Sequence, residues 1–246
     1  MVTLNLWNVN PPVDERLDQL VGALRGQRPD LLALQEVSAV DGVNQAERLA
    51  AGAGFRSCHY SQAWSTPIRE EGLALLSDLP ISPLPDVRLP DVPEETTRIL
   101  QQAEISLPSG AVVRVANTHL SWRVDATATR TAQAEWIRAE LLGWDGALLL
   151  VGDLNDTADS EPLRVLIDAD AHWRGLVDCY AALHTDDRWT FDRRNPWTWK
   201  VQLMDRRIDH VLASPDMDVL DAAVVFIGED APVVSDHYGV RVTLGL

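Results

Sequence analysis

Short apolar runs that stop abruptly at acids, amides or imidazoles constrain this chain more than any other feature. Leu31 to Leu34 is followed by Gln35-Glu36, and Val112 to Ala116 by Asn117-Thr118-His119. Ala147 to Val151 is followed by Gly152-Asp153-Leu154-Asn155, and Val233-Val234 by Ser235-Asp236-His237. Uninterrupted apolar runs such as Leu31–Leu34 and Ala147–Val151 suit strands buried on both faces. Such strands need another layer on each side. The end of a strand in a packed sheet is also a rigid platform for reactive groups.

The remaining punctuation supplies the other layers. Leu17, Leu20, Val21 and Leu24 repeat at helical spacing from Asp14 to Arg25, and Gly26 is a stop signal. Helices are expected over 45–51, 127–142 and 161–167, the last with Ser160 as N-cap and Pro162 in its first turn. Extended segments are expected over 2–7, 72–76, 81–89, 97–107 and 111–118, and again over 208–212, 219–227 and 240–244. Two face-to-face sheets with helices outside satisfy this pattern, as does an ordinary doubly wound sheet. No Gly/Ser or Pro-rich linker divides the chain, so a single domain over 1–246 is expected.

Composition narrows the partners. The formal net charge of −16 supplies no basic surplus with which to release counterions from duplex DNA. A local basic patch is left open around Arg188, Arg193, Arg194, Lys200, Arg206 and Arg207. Cys58 and Cys179 suit reduced thiols better than a disulfide framework. No apolar run approaches the roughly 20 residues of a membrane helix. No signal-peptide pattern stands at the start. A cytoplasmic monomer is therefore expected.

Taken singly, the polar residues at the strand ends have ordinary explanations. Glu36 could end a strand in solvent, Asp153 and Asn155 could cap a helix, and Asp209 could pair with Arg206 or Arg207. His119 and His237 could be satisfied structural histidines. Together they form an ordered series: Thr3-Leu4-Asn5-Leu6, Leu34-Gln35-Glu36-Val37, Glu71 to Ser77, Asn117-Thr118-His119-Leu120, Gly152-Asp153-Leu154-Asn155, Arg207-Ile208-Asp209-His210 and Ser235-Asp236-His237. The series resembles the endonuclease/exonuclease/phosphatase superfamily from one end of the chain to the other. That superfamily includes AP endonucleases, pancreatic-type deoxyribonucleases, tyrosyl-DNA phosphodiesterases, deadenylases, inositol polyphosphate 5-phosphatases and neutral sphingomyelinases.

The resemblance implies an α/β fold, a four-layer α/β/β/α sandwich of two packed mixed sheets flanked by helices, as in deoxyribonucleases. It implies a Mg²⁺- or Mn²⁺-dependent phosphodiesterase or phosphatase that directs water in line at phosphorus. Glu36 is then the principal metal ligand, helped by Asn5 and Asp236 directly or through water; Asn8 fits the first position less well than Asn5. Asp153 and Asn155 would contact the scissile phosphate and the attacking water. His237, oriented by Asp209, would lie beside the phosphate, and Glu71 would orient His119. Oxygen donors suit a hard cation, and the base is either Asp153 or the Asp209–His237 pair.

His119 stands where exonuclease-type AP endonucleases carry tyrosine. The segment from Trp122 to Gln133, with Arg130, is similar to the generic bacterial and sphingomyelinase-like branches, and Arg130 is expected to bind substrate. Substrate choice is placed in the loop from His184 to Met204, where Trp189, Phe191, Trp197 and Trp199 stand among Arg188, Arg193, Arg194 and Lys200. Rings beside basic groups could stack a base or hold a cationic headgroup, or the rings could simply pack. The expected partner is a phosphoester: a small molecule, a lipid headgroup or single-stranded nucleic acid, ahead of duplex DNA. A nuclease is the alternative, and a non-catalytic module on the same fold stands behind both.

Overall fold

The structure is a computed structural model and describes residues 1–90, 95–186, 188–198, 205–229 and 231–246. In chain order its elements are β1 (Val2–Asn5), α1 (Val13–Gly26), β2 (Leu31–Val40), β3 (Val43–Asn44), α2 (Gln45–Ala53), β4 (Ser57–Ser65) and β5 (Arg69–Ser77). There follow β6 (Ile81–Pro83), β7 (Val87–Arg88), β8 (Ile99–Ser106), β9 (Val112–His119), α3 (Thr127–Leu141), β10 (Ala147–Asp153) and α4 (Glu161–Ile167). The chain closes with β11 (Val177–Asp178), β12 (Asp209–Ala213), β13 (Asp218–Val225) and β14 (Gly239–Gly245).

Two seven-stranded mixed sheets result. One runs β13-β14-β1-β2-β5-β4, with β3 on β2; the other runs β11-β12-β10-β9-β8-β6, with β7 on β8. Each has one parallel pair at its centre, β1 with β2 and β9 with β10. A parallel pair needs a crossover, and α1 and α3 lie in the two connections.

Side-chain alternation assigns the layers. Leu31 and Ala33 of β2, and Ala147, Leu149 and Val151 of β10, join the apolar layer between the sheets. Leu32 and Leu34 turn outward onto Leu17, Leu20 and Leu24 of α1 and Leu49 of α2. Leu148 and Leu150 turn the other way onto Ile137 and Leu141 of α3 and Leu163 and Leu166 of α4. A run apolar at every position is thus read by two cores at once, giving a four-layer α/β/β/α sandwich. Each fully buried leucine contributes about 1.5–3 kcal/mol.

A buried polar chain crosses the interior. Gln35 Nε2 donates to Thr3 Oγ1 at 3.0 Å and to Asn117 Oδ1 at 2.7 Å. Asn117 Nδ2 donates to the Leu34 carbonyl at 3.1 Å and to Gln101 Oε1 at 3.0 Å. Thr3, Gln35, Asn117 and Gln101 are fully buried. Fully bonded polar groups of this kind fix the register of the layers they join.

Several expected elements are longer or divided. The segment 81–89 is two short strands, β6 and β7. Strand β4 has no counterpart in the sequence reading: it is an edge strand in which only Ser61 is buried, so no apolar run marks it. Ser160 precedes α4 but makes no side-chain cap bond; its backbone carbonyl receives the Arg164 N–H instead. Cys58 and Cys179 are both free. Among the described residues, no helix is long and apolar enough to cross a membrane.

Candidate active site

The C-terminal ends of the two parallel pairs meet at one end of the sandwich. Asn5 closes β1 and Asp153 closes β10, and Asn5 Nδ2 donates to Asp153 Oδ2 at 3.0 Å from one sheet to the other. The register pairs Asp153 with His119 on one side and with Asp209 on the other. Glu71 lies near the start of β5, which runs antiparallel to β2, so it reaches the same end.

Local backbone devices aim these groups. Strand β2 does not stop at Glu36; its pairing with β5 shifts between Leu34 and Val37, and Glu36 has φ +51°. A bulge of this kind re-aims a side chain without ending the strand. Glu36 is half-buried; its Oε1 accepts from Asn5 Nδ2 at 3.2 Å and its Oε2 from Asn8 Nδ2 at 2.7 Å. Asn5 Oδ1 is taken by the Trp7 N–H at 2.9 Å, which fixes its amide with the nitrogen toward the carboxylates. Gly152, at φ +140°, precedes Asp153, and a Cβ there would lie 1.9 Å from the Thr118 carbonyl oxygen. Only glycine lets β9 and β10 approach this closely.

Two imidazoles flank Asp153. His237 Nδ1 lies 2.9 Å from Asp209 Oδ2, and its Nε2 lies 3.7 Å from Asp153 Oδ2. His119 Nε2 lies 3.5 Å from the same Asp153 oxygen, but its Nδ1 faces Arg98 Nη1 at 3.0 Å. Burial alone would discharge His237; Asp209, Asp153 and Asp236 outweigh it and hold the ring protonated well above the usual range. At His119 burial and the charges of Arg98 and His237 act together, and its pKa falls well below that range.

The acids carry the cost of their crowding. Burial holds the Asp153 carboxyl above its usual value, with His237 opposing. Burial pushes Asp236 to about 7 against His237, with Glu36 adding to the rise. Glu71 is likewise pushed to about 7 by burial and then by Glu36. Asp209 Oδ1 is buried without a hydrogen-bond partner. Asp153, Asp209 and His237 bring candidate ligand atoms within 4.8 Å of one another.

Among the residues expected from sequence, Asn5, Glu36, His119, Asp153, Asp209, Asp236 and His237 are joined here by hydrogen bonds or by mutual charge effects. Asn155 adjoins them, its N–H on Asp153 Oδ1 at 3.0 Å and its Nδ2 on the Leu120 carbonyl. Glu71 does not orient His119: its carboxylate is held by Trp64 Nε1 at 3.4 Å and Arg69 at 3.1 Å, and Arg98 takes the imidazole. Arg130 is 2% exposed and spends its guanidinium on Asp156, the Ser121 and Arg123 carbonyls and Thr127 Oγ1. It secures the turn after His119 and is not turned to a substrate. Trp197 is half-buried, donates to the Val233 carbonyl at 3.0 Å, and has its ring centroid 6.2 Å from that of Trp7. Trp199 and Lys200 lie outside the described residues.

Three of the six residues of the expected basic patch are held by carboxylates. Arg193 pairs with Asp205 at 2.9 Å, Arg194 with Asp192 at 2.6 Å, and Arg207 is buried against Asp178 at 2.8 Å.

Three supporting residues escaped the sequence reading. Arg98 immediately precedes β8, which runs antiparallel to β9, and so reaches His119; only knowledge of that pairing would have pointed to it. Thr190 Oγ1 accepts from both the Ile208 and Asp209 N–H, and its carbonyl accepts from Tyr238. Arg16 is buried in α1 and donates to the carbonyls of Leu6, Asn8, Asn10 and Val234, tying the loop after β1 to the turn that carries Asp236. Arg16 reads in sequence as an ordinary polar position of an amphipathic helix.

Comparison with known proteins agrees with this geometry. Residues 2–237 match the model of the Endonuclease/Exonuclease/phosphatase family. A curated relative, the protein angel of Drosophila melanogaster, is 27% identical over 164 residues, 62% of this chain and 46% of that protein. The matched stretch is thus about half the length of that relative. An endonuclease/exonuclease/phosphatase family protein from Leptotrichia buccalis superposes with TM-score 0.80 at 19% identity, covering 100% of this chain and 98% of the other. A truncated TDP2 of Caenorhabditis elegans gives 0.75 at 19% identity over 100% and 96% of the two chains. A mannosyl-6-phosphatase of Bacteroides thetaiotaomicron gives 0.71 at 17% identity over 100% and 98%.

Proposed function

Because this chain belongs to the Endonuclease/Exonuclease/phosphatase family, whose members are metal-dependent phosphoester hydrolases, we propose that it hydrolyses a small phosphoester by in-line attack of water, with Mg²⁺ or Mn²⁺. The observation that carries this reading is the meeting of Asn5, Glu36, Asp153, Asp209 and His237 across two sheets.

The donors fit a hard divalent cation. They are oxygen-rich, a buried carboxylate oxygen of Asp209 has no partner, and Asp236 is raised to about 7 by burial, with Glu36 adding to the rise. Glu36 and Asp236 would hold the ion, and Asn5 would hold the two carboxylates in place by donation. When bound, the cation supplies Lewis-acid stabilisation of charge on the phosphoryl oxygens.

The chain's own groups supply the rest. His237, kept protonated by Asp209, offers its Nε2–H to an anionic phosphoryl oxygen. Asp153, raised by burial, accepts the proton of the water that attacks opposite the leaving group. Asn155 is held beside Asp153 by its own N–H and helps place that water. Thr190 fixes Asp209 from the backbone side, and the Phe191 ring packs 5.0 Å from His237 and keeps bulk water from it.

The rim favours a short substrate over a long polyanion, since Arg193 and Arg194 are already paired with Asp205 and Asp192. The test is hydrolysis of p-nitrophenyl phosphate and bis-p-nitrophenyl phosphate with and without Mg²⁺ or Mn²⁺. Metal-stimulated release that EDTA abolishes is expected. Metal-independent turnover, or none with either ester or ion, would overturn the reading.

A further inference from the structure

The two histidines beside Asp153 differ in what stands behind them, and that difference fixes where their protons are. The Nδ1 of His119 faces Arg98 Nη1 at 3.0 Å. A guanidinium has only N–H donors and keeps its charge in proteins. The ring nitrogen that meets it must therefore offer a lone pair, so the His119 proton sits on Nε2, the nitrogen 3.5 Å from Asp153 Oδ2. At His237 the logic reverses. Its Nδ1 meets the Asp209 carboxylate, which only accepts, so that nitrogen carries a proton.

Arg98 is built into the wall for this contact. It is 7% exposed, precedes β8, and lies beside the end of β9 because Leu100 pairs with Thr118. Its Nη2 is 3.8 Å from Glu95 Oε2, and the other oxygen of Glu95 accepts from Ser121 Oγ at 2.7 Å, two residues beyond His119. Its Nε is buried without a partner. Arg193 and Arg194 are each closed off by a two-oxygen grip on a carboxylate; Arg98 instead spends its Nη1 on the imidazole.

We propose that Arg98 is a positioning residue that locks His119 as a neutral Nε2–H donor, and that His119 serves the phosphoester as a fixed hydrogen-bond donor to a phosphate oxygen. Proton transfer from the attacking water is left to Asp153. The inference rests on the phosphoester-hydrolase reading and adds a division of labour within it.

Two measurements test it. The first compares kcat of wild type, His119→Ala, His119→Gln, Arg98→Met and Arg98→Lys on bis-p-nitrophenyl phosphate with Mg²⁺. Loss of one donor to the reacting phosphate should lower kcat by about 10² in His119→Ala. His119→Gln, whose amide N–H reaches the place of Nε2, should recover at least about tenfold of that loss, because only a donor is needed. Arg98→Lys should keep more activity than Arg98→Met, with the loss in kcat and little change in KM. Equal activity of His119→Gln and His119→Ala overturns the donor role.

The second is ¹⁵N NMR of histidine-labelled wild-type protein at neutral pH, which needs no variant to fold. One protonated nitrogen, Nε2, is expected for His119; a proton on Nδ1, alone or with Nε2, overturns the proposal. A wild-type protein inert toward both esters would instead defeat the hydrolase reading, while the NMR result still reports the tautomer.

Discussion

Strand β12 carries two buried aspartate–imidazole pairs on opposite faces, and they are built for different ends. On one face Asp209 meets His237 Nδ1 at 2.9 Å; on the other its neighbour His210 meets Asp178 at 3.0 Å. The back pair is saturated. Arg207 Nη1 reaches both Asp178 oxygens, at 3.1 and 2.8 Å, Asp178 Oδ1 also receives the Tyr180 and Ala181 N–H, and His210 Nε2 ends on the Asp156 carbonyl at 2.9 Å. The front pair is left incomplete. Asp209 Oδ1 has no partner and His237 Nε2 faces a carboxylate across 3.7 Å. A saturated network stabilises one arrangement; an unsaturated one retains groups for a ligand. The same dipeptide, Asp209-His210, therefore serves chemistry on one side and architecture on the other.

The sharpest way to break this comparison is to remove the front pair. Asp209→Asn and His237→Ala should each lower kcat by about 10²–10³ on an activated phosphodiester, through loss of orientation and of charge at the phosphate. Their urea-unfolding midpoints should move less than that of the back-pair variant, since one oxygen of Asp209 already lacks a partner. Wild-type rates in either variant would remove the pair from the mechanism. Asp153→Asn should fall by at least about 10² for want of a proton acceptor.

The back pair should answer in the opposite currency. Asp178→Asn leaves Arg207 and His210 buried without their carboxylate and should lower stability by about 3–5 kcal/mol. Activity per folded molecule should stay close to wild type. An activity loss of the front-pair kind, with unchanged stability, would erase the distinction.

A smaller effect follows from cation binding. If Glu36, Asp236 and their neighbours are held apart by a divalent ion, Mg²⁺ at about 100 times its Kd should raise stability by about 2.7 kcal/mol. The increment should shrink in Glu36→Gln and persist in Asp178→Asn. No shift in melting temperature with Mg²⁺ or Mn²⁺ would count against the cation.

The pH dependence supplies a finer test. Burial alone would raise the Asp178 carboxyl, but His210 and Arg207 outweigh it and hold it far below its usual range. A depressed folded-state pKa means stability that is present at neutral pH, begins to be lost below the unfolded value of about 3.9, and disappears as pH falls through the folded value. The gap between wild type and Asp178→Asn in urea should therefore be full at pH 7 and narrow only below about pH 4. A gap that closed at higher pH would show that the carboxylate is not what holds this side together.

Much of this was legible before any coordinates. Leu31–Leu34 and Ala147–Val151 are apolar at every position, and only a strand between two layers buries every side chain of such a run. The acids and imidazoles that end the buried strands lie at one end of the sandwich. Asn117, from the same motif as His119, is instead the bolt between the sheets. Strand β4 was illegible because an edge strand needs no apolar face. Glu36 read as the end of a strand because a bulge leaves no mark in composition.

The sequence by itself determined that the apolar runs are strands between layers and supplied the roster of acids and imidazoles, because periodicity and residue type are local properties; the family and its four layers followed from the resemblance of the ordered motifs. Only the tertiary structure decided which face of β12 holds the reactive aspartate, that Arg98 and not Glu71 stands behind His119, and that Arg130 is turned inward. Each of those depends on which strand lies beside which, and pairing is set by contacts between residues tens to hundreds of positions apart, where neither spacing nor propensity reaches.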